Sequence, residues 1–419
     1  MNKVITSCMI GNALEWYEFT LYGYFASIIG QLFFPSADPV VSIISAFAVF
    51  AAGFLMRPLG AVIFGHIGDK IGRKKALVIS IYLMAIPTAL IGLMPTYAEI
   101  GILAPIFLTL IRLLQGISVG GEFTGSMVFI IEHTEGKNRG FAGSFASLSL
   151  AVGIICGSLT AYVIHMLFTD AEIADYAWRI PFFLSVFGAL IGGIMRKTLH
   201  DPQVYLDEKN ANHLYKLPVK ELFQKHYKSL LHAMSIELLM AVGFYLVFIF
   251  NVTYMKDFLG INETHAYYIS FISTVVFAVT IPFSGYVSDT IGRTKIMLPA
   301  MIVLFVATYP MFTTITHGLY FAALTQVSGA FLLGILFGPL PALLVEMFPV
   351  KVRFTGISMA HNLSMSIFGG TMPLLAANGI RYTGDLYLPA YFVVGAAFVS
   401  MIALRFMLDR SKLSLEKLG

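Results

Sequence analysis

Charged residues and cysteines are both scarce in this chain. Only 12% of its 419 residues are Asp, Glu, Lys or Arg, roughly half the share of an average soluble domain. The two cysteines, Cys8 and Cys156, lie in apolar segments and make neither a disulfide framework nor a metal site. A Gly-x-x-x-x-Gly-Lys-Ser/Thr loop is also missing from the sequence, which argues against an ATP-driven machine. These absences disfavour an enzyme, and the net charge of +4 is too modest to indicate nucleic-acid binding.

Apolar residues are abundant instead. They make up 58% of the chain, and the mean hydropathy is +0.81. The apolar runs are continuous and reach the ~20 residues that a helix needs to cross a bilayer, whereas a barrel would show short alternating strands. The sequence therefore predicts an all-α membrane protein with about twelve transmembrane helices. The predicted spans are 5–33, 42–66, 76–94, 100–131, 141–167, 178–196, 229–255, 265–287, 295–316, 319–345, 354–379 and 386–408.

A polar motif occurs twice between apolar segments. Residues 65–75, GHIGDKIGRKK, return as residues 285–295, GYVSDTIGRTK, after an offset of 220. A Glu and an Arg seven residues apart also recur, as Glu132 with Arg139 and as Glu346 with Arg353. Such duplication is typical of transporters built from two related units. It predicts two pseudo-symmetric six-helix bundles, 1–196 and 229–419, joined by the linker 197–228.

Lys and Arg are concentrated in the loops on one side of the predicted membrane. They occupy the two motif loops and the basic linker, with which we group Arg196. The positive-inside rule then puts the linker and both termini in the cytoplasm. An even number of spans agrees with this, because it requires both termini to lie on the same side.

Several motifs together resemble one known family. The pattern Gly-x-x-x-Asp-x-x-Gly-Arg-Lys after the second span is similar to the hallmark loop of the major facilitator superfamily. Four further segments resemble motifs of one subgroup, the metabolite:proton symporters. They are residues 15–23, 57–60, 112–122 and 178–182, which read EWYEFTLYG, RPLG, RLLQGISVGGE and WRIPF. The group includes bacterial carriers of proline and betaine, α-ketoglutarate, citrate and shikimate. The resemblance implies the major facilitator fold, a bacterial inner membrane, and the proton as coupling ion without any cofactor.

The first span carries two acids, Glu15 and Glu18, three residues apart and therefore on one helix face. Two carboxylates so close together in an apolar span should not both ionise easily, which suits a proton carrier. Alternatively, both acids are permanently paired with Arg57 or Arg112 and only hold helices together. Trp16 and Tyr22, near these acids, could surround a quaternary ammonium group by cation–π attraction.

Other ionisable groups lie at membrane depth. Arg57 could bind a substrate carboxylate with two parallel hydrogen bonds, act as counter-ion to an acid, or reach the cytoplasmic surface. The family resemblance implies that Arg112 acts in proton transfer or in bracing the cavity, with Gln115 beside it. Glu122 lies about 15 Å further along the same helix, which favours a gate or relay role. Glu237 is the main acid of the second half and either serves the site or packs against span eleven, at His361 and Asn362.

The repeated charges should lie at the cytoplasmic ends of neighbouring helices. The resemblance implies a network that holds the two bundles together on the inside, in which the motif aspartate caps a helix of the other bundle. Gly65 and Gly72 would allow a tight turn and close helix approach. The network residues are Asp69, Arg73, Glu132 and Arg139, with their counterparts Asp289, Arg293, Glu346 and Arg353.

These observations predict a secondary active transporter. It would import a small organic carboxylate or zwitterion with a proton by alternating access, as a monomer in the lipid bilayer. One alternative is a facilitator or antiporter of the same fold, whose transport ignores the proton gradient. The other is a non-transporting nutrient receptor, which binds its ligand without flux.

Overall fold

The protein is an all-helical assembly of long apolar segments. The computed structural model describes residues 2–134, 136, 138–407, 409–413 and 415, and these contain no β-strand. Eleven helical segments among them are long and apolar enough to cross a membrane. A twelfth long helix, Asn2–Tyr24, precedes them and carries buried polar side chains that lower its hydropathy. The prediction of an all-α membrane protein with about twelve spans is confirmed.

We number the long helices span 1 to span 12 in chain order. In the first half, span 1 is Asn2–Tyr24, continued by Ala26–Phe33; span 2 is Pro39–Leu55 with Arg57–His66 and a π-turn at Ile67–Ile71; span 3 is Arg73–Leu93; span 4 is Leu103–Glu132; span 5 is Arg139–Leu167; and span 6 is Ile180–Lys197. Short helices at Gln203–Asn210 and Pro218–Lys225 follow span 6.

The second half has the same number of spans. Span 7 is Tyr227–Phe244, extended by π-turns at Tyr245–Ile249 and Tyr254–Phe258 around Asn251–Thr253; span 8 is Glu263–Ile291; span 9 is Arg293–Ile315; span 10 is Leu319–Phe337 with Leu340–Met347; span 11 is Arg353–Ser364, a π-turn at Met365–Gly369 and Met372–Thr383; and span 12 is Leu388–Arg405. The division into bundles 1–196 and 229–419 stays a prediction.

Three breaks within the long helices coincide with prolines. Pro58, Pro341 and Pro373 each occupy the first turn of a new helical piece in spans 2, 10 and 11. Proline fits there because the first-turn N–H groups have no partner inside the helix. Pro282, by contrast, lies inside the uninterrupted helix of span 8.

Glycines allow the spans to approach closely. A Cβ atom on Gly116 of span 4 would overlap the backbone of Gly53 in span 2, and one on Gly120 would overlap the backbone around Gly60. Small residues at such crossings are the usual basis of helix packing in membranes. The two halves meet where span 5 packs along span 8 and where span 2 packs against span 11. We call the end of the molecule that holds the loops at 67–72 and 291–293 the motif end.

The close crossing of spans 2 and 4 can be tested by adding one methyl group. We expect Gly116→Ala to destabilise the purified protein by ~1–3 kcal/mol, because backbone atoms cannot move aside. Thermal unfolding in detergent measures this. The matched control is Gly395→Ala in span 12, where a Cβ meets nothing within 4 Å. Equal melting temperatures for the two variants would contradict the crossing.

Candidate functional site

Buried charges at the motif end form a network around Arg73. Its guanidinium donates to Asp69 at 2.5 Å and to Glu132 at 3.1 Å, and also to the backbone carbonyl of Val350 at 2.8 Å. Arg353 of span 11 donates to the same Glu132 at 2.8 Å. One carboxylate of the first half thus binds a guanidinium from each half, which compensates charges that would be costly to bury alone.

Asp69 also binds the end of a helix from the other half. Its two carboxylate oxygens accept the backbone N–H groups of Phe354 at 3.1 Å and Thr355 at 2.8 Å, in the first turn of span 11. These N–H groups have no partner within the helix, and the helix dipole favours an anion beside them. Gly65 allows the approach, because a Cβ there would lie 2.8 Å from the Cα of Thr355.

The second copy of the network makes the reciprocal contact. Asp289 accepts the backbone N–H groups of Gly140 and Phe141, both at 2.8 Å, at the start of span 5 in the first half. Arg293 donates to Asp289 at 2.6 Å and lies 3.3 Å from Glu346. Arg139 lies 3.5 Å from the same Glu346. Each half therefore caps a helix of the other, and the two halves are joined at the motif end.

The sequence analysis missed a further pair of capping aspartates. Asp201, after span 6, accepts the backbone N–H of Lys74 at 2.7 Å, and Asp409, after span 12, accepts that of Thr294 at 3.3 Å. Both bind the first turn of the helix that follows a motif loop. Their separation of 208 residues, close to the offset of the motif, was the signal that could have found them.

The glycine that precedes each of these helices makes room for the aspartate. Gly72 has φ +158° and Gly292 has φ +105°, and a Cβ on either would crowd the carboxylate of Asp201 or Asp409. Burial pushes the pKa of Asp409 upward, but the hydrogen bonds from Ser411 and from the Thr294 backbone outweigh it, so the pKa falls below its ordinary value. Asp409 is therefore ionised at neutral pH.

The linker and the C-terminal tail both contact the network. The ring of Tyr205, in the linker helix Gln203–Asn210, lies 4.7 Å from the guanidinium of Arg73, and burial raises the pKa of Tyr205 to about 12. On the other copy, Arg139 donates to the backbone carbonyls of Ser411 and Leu413 at 2.8 and 2.7 Å. The segments that follow spans 6 and 12 thus occupy comparable places.

The two acids of span 1 have different surroundings. Glu18 accepts hydrogen bonds from Thr88 of span 3 and, at 3.1 Å, from the amide of Gln115 in span 4. Glu15 instead interacts electrostatically with Arg57 of span 2, and neither of its buried carboxylate oxygens has a hydrogen-bond partner. Glu15 and Glu18 make no hydrogen bond to each other, and the expectation that the two do not both ionise easily stays a prediction.

Arg112 is connected to Glu18 through one side chain. Its Nη1 donates to the Gln115 carbonyl oxygen at 2.8 Å, while the amide nitrogen of the same Gln115 donates to Glu18. The Nε and Nη2 groups of Arg112 are buried and have no partner. The guanidinium also lies 3.6 Å from the ring centre of Tyr22, so the Tyr22 face is covered by a protein cation.

Arg57 joins the two halves in the middle of the molecule. It is only 2% exposed, so its side chain does not reach the surface. Its Nε donates to the side chain of Asn362 in span 11 at 3.0 Å, and Asn362 in turn donates to the backbone carbonyl of Gly120 at 2.9 Å. The Nε of Arg57 thus donates to the side-chain amide of Asn362 in span 11, and not to Glu15 or Glu18 of span 1.

Glu122 lies in a buried ion pair inside the first half. It binds two nitrogens of Arg196, one of them at 2.8 Å, and accepts the hydroxyl of Ser80 at 2.5 Å. Arg196 is 1% exposed at the end of span 6, so grouping it with the basic linker was wrong. Its partner could not be read from the sequence, because the two residues are 74 positions apart.

Glu237 of span 7 lies against span 11. Its Oε2 is 2.9 Å from the Nδ1 of His361, whose ring packs on Phe123 of span 4 with ring centres 4.9 Å apart. The other carboxylate oxygen, Oε1, is buried without a partner. Glu237 thus packs against span 11, and its role in the site stays a prediction.

Aromatic rings of both halves pack together near Glu15. Trp16 packs edge-on to Phe244 at 5.0 Å between ring centres, and its indole N–H has no partner. Phe19 and Phe50 lie 5.5 Å apart, and both pack on Phe54 at 5.2 Å. The arrangement can therefore hold a small molecule by its polar groups and by contact with ring faces.

Comparison with known proteins identifies a transporter family and named transporters that this chain is similar to. Residues 3–419 match the family model described as sugar (and other) transporter. The chain is 35% identical to the proline/betaine transporter of Salmonella typhimurium over 96% of this chain and 82% of that protein. It is 30% identical to the citrate-proton symporter of Klebsiella pneumoniae over 97% and 91% of the two chains.

Solved structures share the fold. The structure of a proton:xylose symporter of the major facilitator superfamily, bound to 6-bromo-6-deoxy-D-glucose, superposes with a TM-score of 0.83. The similarity covers 99% of this chain and 98% of that one at 15% sequence identity. At this identity the likeness concerns the fold alone.

The contact between the halves at the motif end can be weakened by replacing the carboxylate of Asp69 with a neutral amide. We expect Asp69→Asn to increase the population in which this end is open by roughly 10-fold, because a charged cap on two buried N–H groups is replaced by a neutral one. Distances between spin labels at positions 75 and 295, the exposed first turns of spans 3 and 9, measure this. Asp170→Asn, an exposed aspartate of the opposite end, is the control. An unchanged distance distribution in Asp69→Asn would contradict the role.

Proposed function

The chain belongs to the sugar (and other) transporter family, and we propose that it imports a small zwitterion together with a proton. The resemblance to the major facilitator superfamily is confirmed, and the family and its relatives are transporters rather than enzymes. Relatives named for proline and betaine and for citrate leave two substrate chemistries, which are a zwitterion and a polycarboxylate.

The observation that carries this proposal is a set of buried polar atoms without partners at the centre. They are both oxygens of Glu15, the Nε and Nη2 of Arg112 and the indole N–H of Trp16. Each such atom costs ~1–3 kcal/mol when it is buried unpaired. The aromatic rings of Phe19, Phe50 and Phe54 connect these groups into one lining. A bound substrate would supply the missing partners.

The charges of the lining match a zwitterion. The Nε and Nη2 of Arg112 lie on the same edge of the guanidinium and form the fork that binds a carboxylate through two parallel hydrogen bonds. The carboxylate of Glu15, next to the ring of Trp16, suits a substrate ammonium group by charge and by cation–π attraction. A second substrate carboxylate would meet the unpaired Glu15, which disfavours citrate-like molecules.

The proton would be carried by Glu18. One amide, Gln115, contacts both Glu18 and Arg112, so a substrate carboxylate on the Nε and Nη2 edge of Arg112 is three hydrogen bonds away from Glu18. Substrate negative charge on Arg112 weakens the attraction between Arg112 and Glu18, and this favours the protonated form of Glu18. Substrate and proton therefore bind together, which is the requirement for symport.

Alternating access would use the reciprocal contacts at the motif end. We assign this end to the cytoplasm of a bacterial inner membrane, with both termini and the linker 197–228 there, because exposed lysines such as Lys70, Lys75 and Lys295 collect on it. The bundles 1–196 and 229–419 would rock as units around the central site in a monomer. The described conformation, joined at the motif end, would then be closed to the cytoplasm.

Transport into proteoliposomes tests the substrate class. We expect an inward proton gradient to drive accumulation of proline or glycine betaine, and citrate or α-ketoglutarate to compete at least ~10-fold less well, since the second carboxylate meets Glu15. Accumulation of citrate alone would overturn the zwitterion assignment. Equilibration that ignores the gradient would indicate a facilitator, and binding without flux would indicate a receptor.

Replacing Glu18 should abolish proton-driven accumulation of the substrate but not exchange of the substrate across the membrane. Glu18→Gln keeps a hydrogen-bonding side chain but cannot release a proton, so we expect substrate exchange across the membrane to continue while gradient-driven accumulation is lost. Both are measured with labelled substrate in the same vesicles. Glu99→Gln, at an exposed site of the opposite end, should behave as wild type. Full accumulation by Glu18→Gln would exclude Glu18 as the proton carrier.

The forked contact of Arg112 predicts a strong effect of a charge-conserving change. We expect Arg112→Lys to raise KM by ~10–100-fold, because an ammonium group cannot make the two parallel hydrogen bonds. Initial uptake rates over a range of substrate concentrations measure this. The exposed Arg381→Lys is the control, and an unchanged KM in Arg112→Lys would place the substrate carboxylate elsewhere.

A further inference from the structure

A second acid–base pair lies between the halves, apart from the proposed site. Glu237 of span 7 and His361 of span 11 are 2.9 Å apart, and both are buried, at 0% and 4% exposure. The two residues belong to different helices of the second half, and the His361 ring also touches Phe123 of the first half. The proposed binding of substrate and of the first proton uses neither residue.

The protonation of this pair depends on whether its surroundings are dry. When Nε2 of His361 carries one proton and a second proton is shared between the carboxylate and Nδ1, the pair has no net charge; without that second proton it carries one negative charge. The buried Oε1 of Glu237 already lacks a donor, so a further negative charge is unfavourable in the closed interface. If water enters when the motif end opens, it stabilises the charged form, and the proton can leave.

The turn of span 11 that carries His361 is also the turn that contacts the first half. Asn362 binds Arg57 and the backbone of Gly120, and Ser358 lies 2.7 Å from Thr124. These contacts must break when the motif end opens. Hydration of the pair and separation of the halves would therefore occur in the same movement.

Few charges face this pair. Span 2 offers Arg57, which reaches span 11 through Asn362, and Glu15 of span 1 lies beside that arginine. On span 11 itself, Arg353 is two turns away and is bound to Glu132. Span 4 presents the apolar ring of Phe123 to His361. Arg57 and Arg353 keep their positive charge, so among these described groups the charges that can change are those of Glu15 and of the Glu237–His361 pair.

We propose that Glu237 and His361 form a second proton-binding site, which is loaded while the motif end is closed and unloads when it opens. This inference rests on the proposed symport, in which Glu18 carries the first proton. Each substrate would then move with two protons. The second proton would be released on the side that the motif end faces, in the step that separates the halves.

The coupling ratio tests the proposal. With the membrane potential set to zero and a proton gradient of one pH unit, two protons support ~100-fold accumulation of a zwitterion and one proton supports ~10-fold. We expect wild type to approach the first limit and Glu237→Gln/His361→Gln to fall to the second. His232→Gln, a histidine of span 7 whose ring contacts the backbone carbonyl of Ala403 at 2.6 Å, is the matched control and should keep the wild-type ratio.

Substrate exchange without a gradient shows whether each variant is folded and binds. A wild-type ratio near ~10, or an unchanged ratio in an exchange-competent double variant, would overturn the second site and leave single-proton symport intact. Accumulation by wild type that ignores the gradient would instead defeat the proposed function itself.

If the double variant does not fold, nitrogen NMR of histidine-labelled wild-type protein tests the protonation of the pair directly. In the closed form the pair must hold two protons, either both on the ring of His361 or one on Nε2 and one on Glu237, and a neutral imidazole with one ring proton beside an ionised Glu237 would overturn the proposal.

Discussion

The capping of two helix N-termini by aspartates from the opposite half is the interaction on which the rest of this structure depends. Asp69 binds the start of span 11 and Asp289 binds the start of span 5. Each aspartate is also held by its own arginine, Arg73 or Arg293. Because charges and free N–H groups are both costly to bury, each half supplies what the other lacks, and this complementarity fixes how the halves meet.

Polar groups are satisfied very differently at the motif end and at the centre. Arg73 binds carboxylates and carbonyls together, whereas the carboxylate oxygens of Glu15 and the Nε and Nη2 of Arg112 have no hydrogen-bond partners of good geometry. A fully satisfied network stabilises one conformation, and an unsatisfied one favours whatever ligand completes it. The same chain thus combines a satisfied polar network at the motif end with unsatisfied polar groups at the centre, which a bound substrate would complete.

The helices and the repeat could be predicted from the sequence, whereas the contacts between buried polar side chains could not. Continuous apolar runs and the duplicated motif were sufficient for the fold, because burial in lipid leaves helices as the available solution. The contacts of Arg57 with Asn362 and of Glu122 with Arg196 were not predictable, since residues far apart in the chain meet only after packing. The different surroundings of Glu15 and Glu18 were missed for a similar reason: a 60° difference in direction on one helix, by ordinary helical spacing, leads to different neighbours.

The reciprocal arrangement at the motif end has a consequence for how such a chain is organised. Each half presents an aspartate to the other half and has a helix N-terminus capped by the other half's aspartate. This is the geometry of an isologous interface, the kind found between identical subunits of a two-fold dimer. The chain therefore resembles a dimer whose two subunits have been joined into one polypeptide. Symmetry then explains why the chemistry could diverge at the centre, where the acids of span 1 and the pair on spans 7 and 11 differ, while the contact that closes the dimer is retained in both copies.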